Sequence, residues 1–161
     1  MISSPTELGR QLVLGTGVHP ILPDWHALMA AFCGHIGDQP DAHPVTQCAR
    51  ALAETHHAYR GFSQGGLFYI GTCEVLVASI DAWVDLHAPH ADRCPRLLGA
   101  AVDEMALAQL DANETLRTCR DGRDERVHAA FHRLAILAGR WTDLVAEVVD
   151  GQPPFPKDEH R

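Results

Sequence analysis

Eleven histidines run from His19 to His160 without clustering, and imidazole is the side chain best suited to moving protons near neutral pH. What each can do depends on the helix face it occupies. At about 100° per residue, Val45, Cys48, Leu52, His56 and Tyr59 share one stripe, while Arg50, Glu54 and His57 face away. His56 is therefore predicted inward and His57 outward. An imidazole among apolar groups needs a hydrogen-bond partner or a polar cavity, and the plain reading is a satisfied core histidine. The chemical reading is an enclosed pocket between helices. There His56 is a general base tuned by burial and by a carboxylate, Asp103, with Tyr59 as a further catalytic group. His87, Tyr69, Gln109, Trp83 and Asp81 are the expected substrate-binding lining, an apolar wall carrying a few polar groups.

Other chemistries fit less well. A carboxylate-bridged dinuclear metal site needs a Glu from each of two helices and an inward Glu-x-x-His from each of two others. That spacing occurs twice, as Glu54 with His57 and as Glu125 with His128, but both pairs lie away from their apolar stripes. His128 and His132, four residues apart, are two ligands without a third. No metal is expected at any of these, and neither G-x-G-x-x-G nor a P-loop indicates a nucleotide, so no cofactor is expected. No nucleophile-elbow or cysteine-protease signature surrounds any Ser or Cys. The five cysteines, Cys33, Cys48, Cys73, Cys94 and Cys119, are odd in number and show no C-x-x-C, which reads as free thiols in a reducing compartment.

The elements that must position these groups are helices. Apolar residues recur at three- and four-residue spacing after residue 23, with no strand-like alternation and no repeat. The predicted fold is all-α, a four-helix bundle with an additional short N-terminal helix. Residues 1–22 read as a loose arm, 23–151 as the bundle and 152–161 as a Pro-rich tail. The short helix runs from about Asp24 to Cys33 and stops at Gly34. The next starts with Pro44 at its first position and ends near Gly61. After a Gly-rich turn over Phe62 to Gly66, a third spans about Leu67 to His87, with Tyr69, Cys73, Leu76, Ile80, Trp83, Val84 and His87 on one face. Pro95 opens a fourth helix to about Cys119, with Leu98, Val102, Met105, Gln109, Ala112 and Leu116 in its stripe and Leu107 and Leu110 opposite. An element apolar on two sides is central or shared with a second subunit, and a homodimer is expected. Asp124 and Glu125 suit the start of the fifth helix, whose stripe runs from Val127 through Phe131, Leu134 and Trp141 to Val148, with Gly151 as its cap.

The 161 residues are one domain's worth, and 46% apolar content is ordinary for a globular chain. Thirteen basic against 21 acidic residues give a net charge of -8, the wrong sign for a nucleic-acid partner. No apolar stretch reaches the roughly 18 residues of a membrane span, and the first cation after the start is Arg10. The expectation is a soluble cytoplasmic protein with no nucleic acid and no membrane as partner.

Several short stretches occur in a telling order. They are Ala30-Ala31-Phe32 before a Gly, Arg50 through His56, Ile80-Asp81-Ala82-Trp83-Val84, Leu98 through Asp103, Val127 through Leu134, and Asp143-Leu144-Val145 leading to a Gly and a Pro. In order and spacing, over about four-fifths of the chain, the sequence resembles the actinobacterial branch of the domain of unknown function 4254 family. The resemblance implies a small helical protein and supplies no activity. Where that family reads Thr-Glu-Thr this chain has Pro95-Arg96-Leu97, and where it reads Asp-Arg-Met this chain has Asp103-Glu104-Met105. Pocket chemistry different from that of relatives is therefore expected. Three functions compete. The first is a small-molecule enzyme of a specialised biosynthetic pathway, running acid–base cyclisation, isomerisation or elimination. The others are a non-catalytic dimeric binding or assembly module, and the dinuclear metal enzyme.

Overall fold

The computed structural model describes residues 21–61 and 66–152, and among these no strand occurs. Five helices follow in order: α1 (Trp25–Phe32), α2 (Pro44–Tyr59), α3 (Gly66–His87), α4 (Leu98–Thr118) and α5 (Glu125–Val145). A 3₁₀ turn at Ala91–Arg93 precedes α4, and a π turn at Ala146–Asp150 closes α5. The chain is a helical bundle with a short N-terminal helix. The turn over 62–65 and the ends of the arm and tail lie outside the described residues.

Caps set the helix starts. The Asp24 carboxylate accepts from the Ala27 N–H, and Asp124 accepts from the Arg126 N–H. At α2 the cap is His43, whose Nδ1 accepts from the Val45 N–H while its Nε2–H donates to the Ile21 carbonyl at 2.7 Å. That second bond draws the segment before α1 onto the bundle. Leu22 is 1% exposed, and the Trp141 indole donates to the Pro23 carbonyl at 3.0 Å. The loose arm expected to reach residue 22 is thus tied into the core from Ile21 onward, because both backbone carbonyls find donors there.

The start of α4 departs from expectation. Pro95 sits three residues before the helix, with Arg96 in the left-handed region at φ 58°. The cap comes from another helix: Asp81 on α3 accepts from the Gly99 N–H at 2.8 Å. A Cβ on Gly99 would overlap the Val77 carbonyl oxygen, so the missing side chain is what lets α3 and α4 approach this closely. Asp81 lies beside Gly99 while Cys73 lies beside Asp103, so the two helices run antiparallel.

In the packing, α4 is central, touching α1, α2, α3 and α5, whereas α5 packs only on α4, α1 and the π turn among the described elements. Two-sided apolarity of α4 is explained by that position. Leu107 and Leu110 are half-buried in clefts beside α4, and Leu116, expected in the main stripe, is exposed. α3 departs most. Of its expected core face only Ile80 and Val84 are buried, and Leu67, Phe68, Val75 and Leu86 are 65–89% exposed. The expectation that no segment is long enough for a membrane span needs amending, since α3 satisfies length and composition with an 18-residue window of mean hydropathy 1.5. Its acidic residues interrupt the apolar run without lowering the mean much. On α5 likewise, Phe131 and Ile136 are exposed although Phe131 was expected in the buried stripe.

Candidate functional site

Three helices meet at one polar node. His56 on α2 is 4% exposed. Its Nε2 lies 2.6 Å from Asp103 Oδ1 on α4, and its Nδ1 lies 2.6 Å from the Tyr69 hydroxyl on α3. An ionised carboxylate can only accept, so Nε2 carries the proton; in the neutral ring Nδ1 then accepts from Tyr69. The result is a continuous chain from Asp103 through His56 to Tyr69. The Cys73 thiol completes the node, one helical turn from Tyr69 on the same face of α3. Burial pushes Tyr69 above its usual pKa, with the charges of Cys73 and Asp103 adding to it. Burial also raises the Cys73 thiol, and Asp103 contributes to that shift. Both groups are held in their protonated forms at rest.

His56, Tyr59, Tyr69, Leu107 and Leu110 line a cleft of about 230 Å³. Tyr59 is half-buried, with its ring centroid 5.6 Å from that of Tyr69. At the rim Arg60 reaches Asp111 Oδ1 and Glu114 Oε2, both at 2.6 Å. This small, partly enclosed space has one phenolic hydroxyl linked to a proton acceptor in its wall. Because both ring nitrogens of His56 are engaged, the group at the cleft surface able to exchange a proton is Tyr69, with His56 behind it as carrier.

Of the residues predicted from sequence, His56, Asp103, Tyr59 and Tyr69 come together. The other four do not join them. Gln109 is buried on the far flank of α4, where its Nε2 approaches Cys33 Sγ at 3.4 Å beside His57. Trp83 and His87 stack on each other at 4.2 Å near His43, with the His87 Nδ1–H bonded to the Trp83 carbonyl. Asp81 is the cap of α4, and burial raises its pKa against the opposing effect of the Gly99 N–H. Trp83, His87 and Gln109 follow the apolar stripe of their own helix, which gives a direction but not a depth along the bundle, and Asp81 lies on the opposite, acidic flank of α3. Cys73 has the spacing of a core residue, since its thiol meets His56 only once three helices have docked.

Glu54, His57, Glu125 and His128 are exposed, as their faces predicted, and Glu54 is engaged by Arg50 at 2.8 Å. The departures at 96 and 104 sit away from the cleft: Glu104 faces Arg140 on α5 at 3.4 Å, and Arg96 is exposed before α4. Cleft chemistry altered by these two residues is not what their positions offer. Compared with family models, with characterised proteins and with solved structures, the chain matches none.

Proposed function

We propose that this protein is an enzyme acting on a small molecule by acid–base chemistry, in the class of cyclisation, isomerisation or elimination within a specialised biosynthetic pathway. The observation that carries the reading is the Asp103–His56–Tyr69 chain, both links 2.6 Å, opening on a cleft. A substrate proton passes to the Tyr69 oxygen as the Tyr69 proton moves to His56 Nδ1, and Asp103 stabilises the imidazolium that forms. In the reverse sense Tyr69 protonates a developing oxyanion. Tyr59 and Leu107 supply the apolar wall that orients the substrate. A soluble cytoplasmic homodimer is part of the same reading, and the exposed apolar face of α3 supports the dimer.

The test is complementation of a deletion strain of the source organism, read by untargeted metabolite profiling. His56→Gln keeps a donor and an acceptor at similar volume but takes no proton at neutral pH, and Tyr69→Phe removes the terminal hydroxyl. Each should lower product formation by about 10²–10⁴-fold, with His57→Gln indistinguishable from the unaltered protein. A His56→Gln protein of unchanged melting temperature that restores the full profile refutes the reading.

A further inference from the structure

We infer that His56, Cys73 and Asp103 form a binding site for one zinc-like divalent ion, with the Tyr69 hydroxyl holding the imidazole from behind. This inference goes beyond the acid–base reading and does not rest on it. The ligand atoms of the three residues lie within 4.8 Å of one another, and His56 Nε2 is 2.6 Å from Asp103 Oδ1. Bond lengths of about 2.0–2.3 Å place tetrahedral zinc ligands roughly 3.3–3.8 Å apart. Side-chain movements on the order of an ångström bring the set to that geometry.

The donor types select the ion. One thiolate, one imidazole and one carboxylate suit zinc, whereas magnesium and calcium take oxygen ligands. Thiolate and carboxylate together carry two negative charges, so a divalent ion leaves a neutral site, which suits the half-buried setting of Cys73. Three protein ligands leave a fourth position for water or a ligand oxygen, the pattern of catalytic rather than closed structural zinc.

The outer contact is a second, independent feature. A metal-bound histidine nearly always donates its other ring N–H to a fixed partner, which sets its tautomer and orientation. His56 Nδ1 has that partner in Tyr69 Oη at 2.6 Å. On binding, the Nε2 proton gives way to the metal while Nδ1 becomes the protonated nitrogen, and Tyr69 turns from donor to acceptor. The thiol proton leaves to solvent, so binding releases about one proton per ion. Metal and proton chain exclude each other at Nε2, so the node has two alternative states.

Cobalt(II), whose tetrahedral thiolate complexes absorb visibly, is the probe, titrated into the metal-stripped protein, followed by displacement with zinc. The expected result is one ion per chain with a thiolate-to-cobalt charge-transfer band. Cys73→Ser, nearly isosteric, should abolish the band and weaken zinc binding at least about 10-fold. Asp103→Asn and Tyr69→Phe should weaken it about 10–100-fold, and Asp103→Asn serves as a second route if the serine variant melts early. The His128→Gln/His132→Gln double variant, altering the exposed pair, should bind as the unaltered protein does. Absence of the band, its persistence in Cys73→Ser, or its loss with the His128/His132 pair overturns the proposal. The readout is metal absorption rather than product, so its failure leaves the acid–base reading standing, and the converse holds.

Discussion

Asp81 separates two demands that one carboxylate meets at once. Its oxygen accepts from the Gly99 N–H at 2.8 Å, yet burial raises its pKa, with Asp85 nearby adding to the rise and Arg96 offsetting part of it. A carboxyl whose folded pKa lies above the unfolded one binds its proton more tightly in the folded state. Its contribution to stability is present at acid pH and is lost as pH rises through the raised pKa. Asp81→Asn keeps the carbonyl that caps Gly99 and removes the charge, so it should leave stability at neutral pH equal or slightly higher and flatten the mildly acid end of the profile. Asp81→Ala leaves the N–H without its acceptor and should cost about 1–2 kcal/mol. Denaturant unfolding of the three proteins between pH 4 and 8 checks this, and an Asn variant as unstable as the Ala variant contradicts it. The residue also marks what a sequence could not reveal. A carboxylate on the polar flank of a helix reads as solvated or as a site group, and nothing in its spacing says that a neighbouring helix start needs an acceptor.

At the scale of elements, the α3–α4 contact rests on Gly99. Gly99→Ala brings a methyl against the Val77 carbonyl oxygen and the Val77 side chain, both backbone and side chain belonging to a facing helix that cannot simply rotate away. A loss of about 1–3 kcal/mol is expected, seen as a lower denaturant midpoint at unchanged slope, whereas an unchanged midpoint would mean the helices separate freely. Asp103 sits one turn beyond Gly99 on the same face, so separation here also loosens the link from Asp103 to His56. Helix identity was legible because the three- and four-residue apolar spacing is strong in α2, where Val45, Leu52 and His56 are buried as read. The starts of α1 near Asp24 and of α5 near Asp124 were legible as well, and the structure makes both residues caps. Less legible was which apolar residues the packing reaches. Phe68, Val75 and Phe131 carry the right type at helical spacing, yet each faces outward, because α3 and α5 are flanking elements each covered on one side only. The pairing of His56 with a carboxylate was expected from the inward face of His56 and the side-chain type of Asp103; the inclusion of Cys73, and the exclusion of Trp83, His87 and Gln109, depended on axial register that spacing within one helix cannot supply.

On the whole-molecule scale, one face of α3 is an unmatched apolar surface. Phe68 and Val75, seven residues apart and so nearly aligned on the helix, are 69% and 65% exposed beside the groove of Gly71, Thr72 and Leu76. A second copy packing there should give a mass of twice 17.6 kDa by light scattering at micromolar concentration. Val75→Glu should return the monomer mass while leaving helix content intact, and an unaltered protein at 17.6 kDa rules the dimer out. Support for the dimer thus shifts from Leu107 and Leu110, which line clefts within one chain, to α3. The polar node has a different whole-molecule meaning. Its members come from α2, α3 and α4, and no two adjacent turns of one helix supply the His56 contacts. No single hairpin of the bundle therefore carries the chemistry, and partial undocking of any one of the three helices removes it entirely. Under the proposed acid–base function, turnover gauges the docked population, so on heating it should disappear along the same curve as tertiary structure rather than persist in a loosened, still helical state.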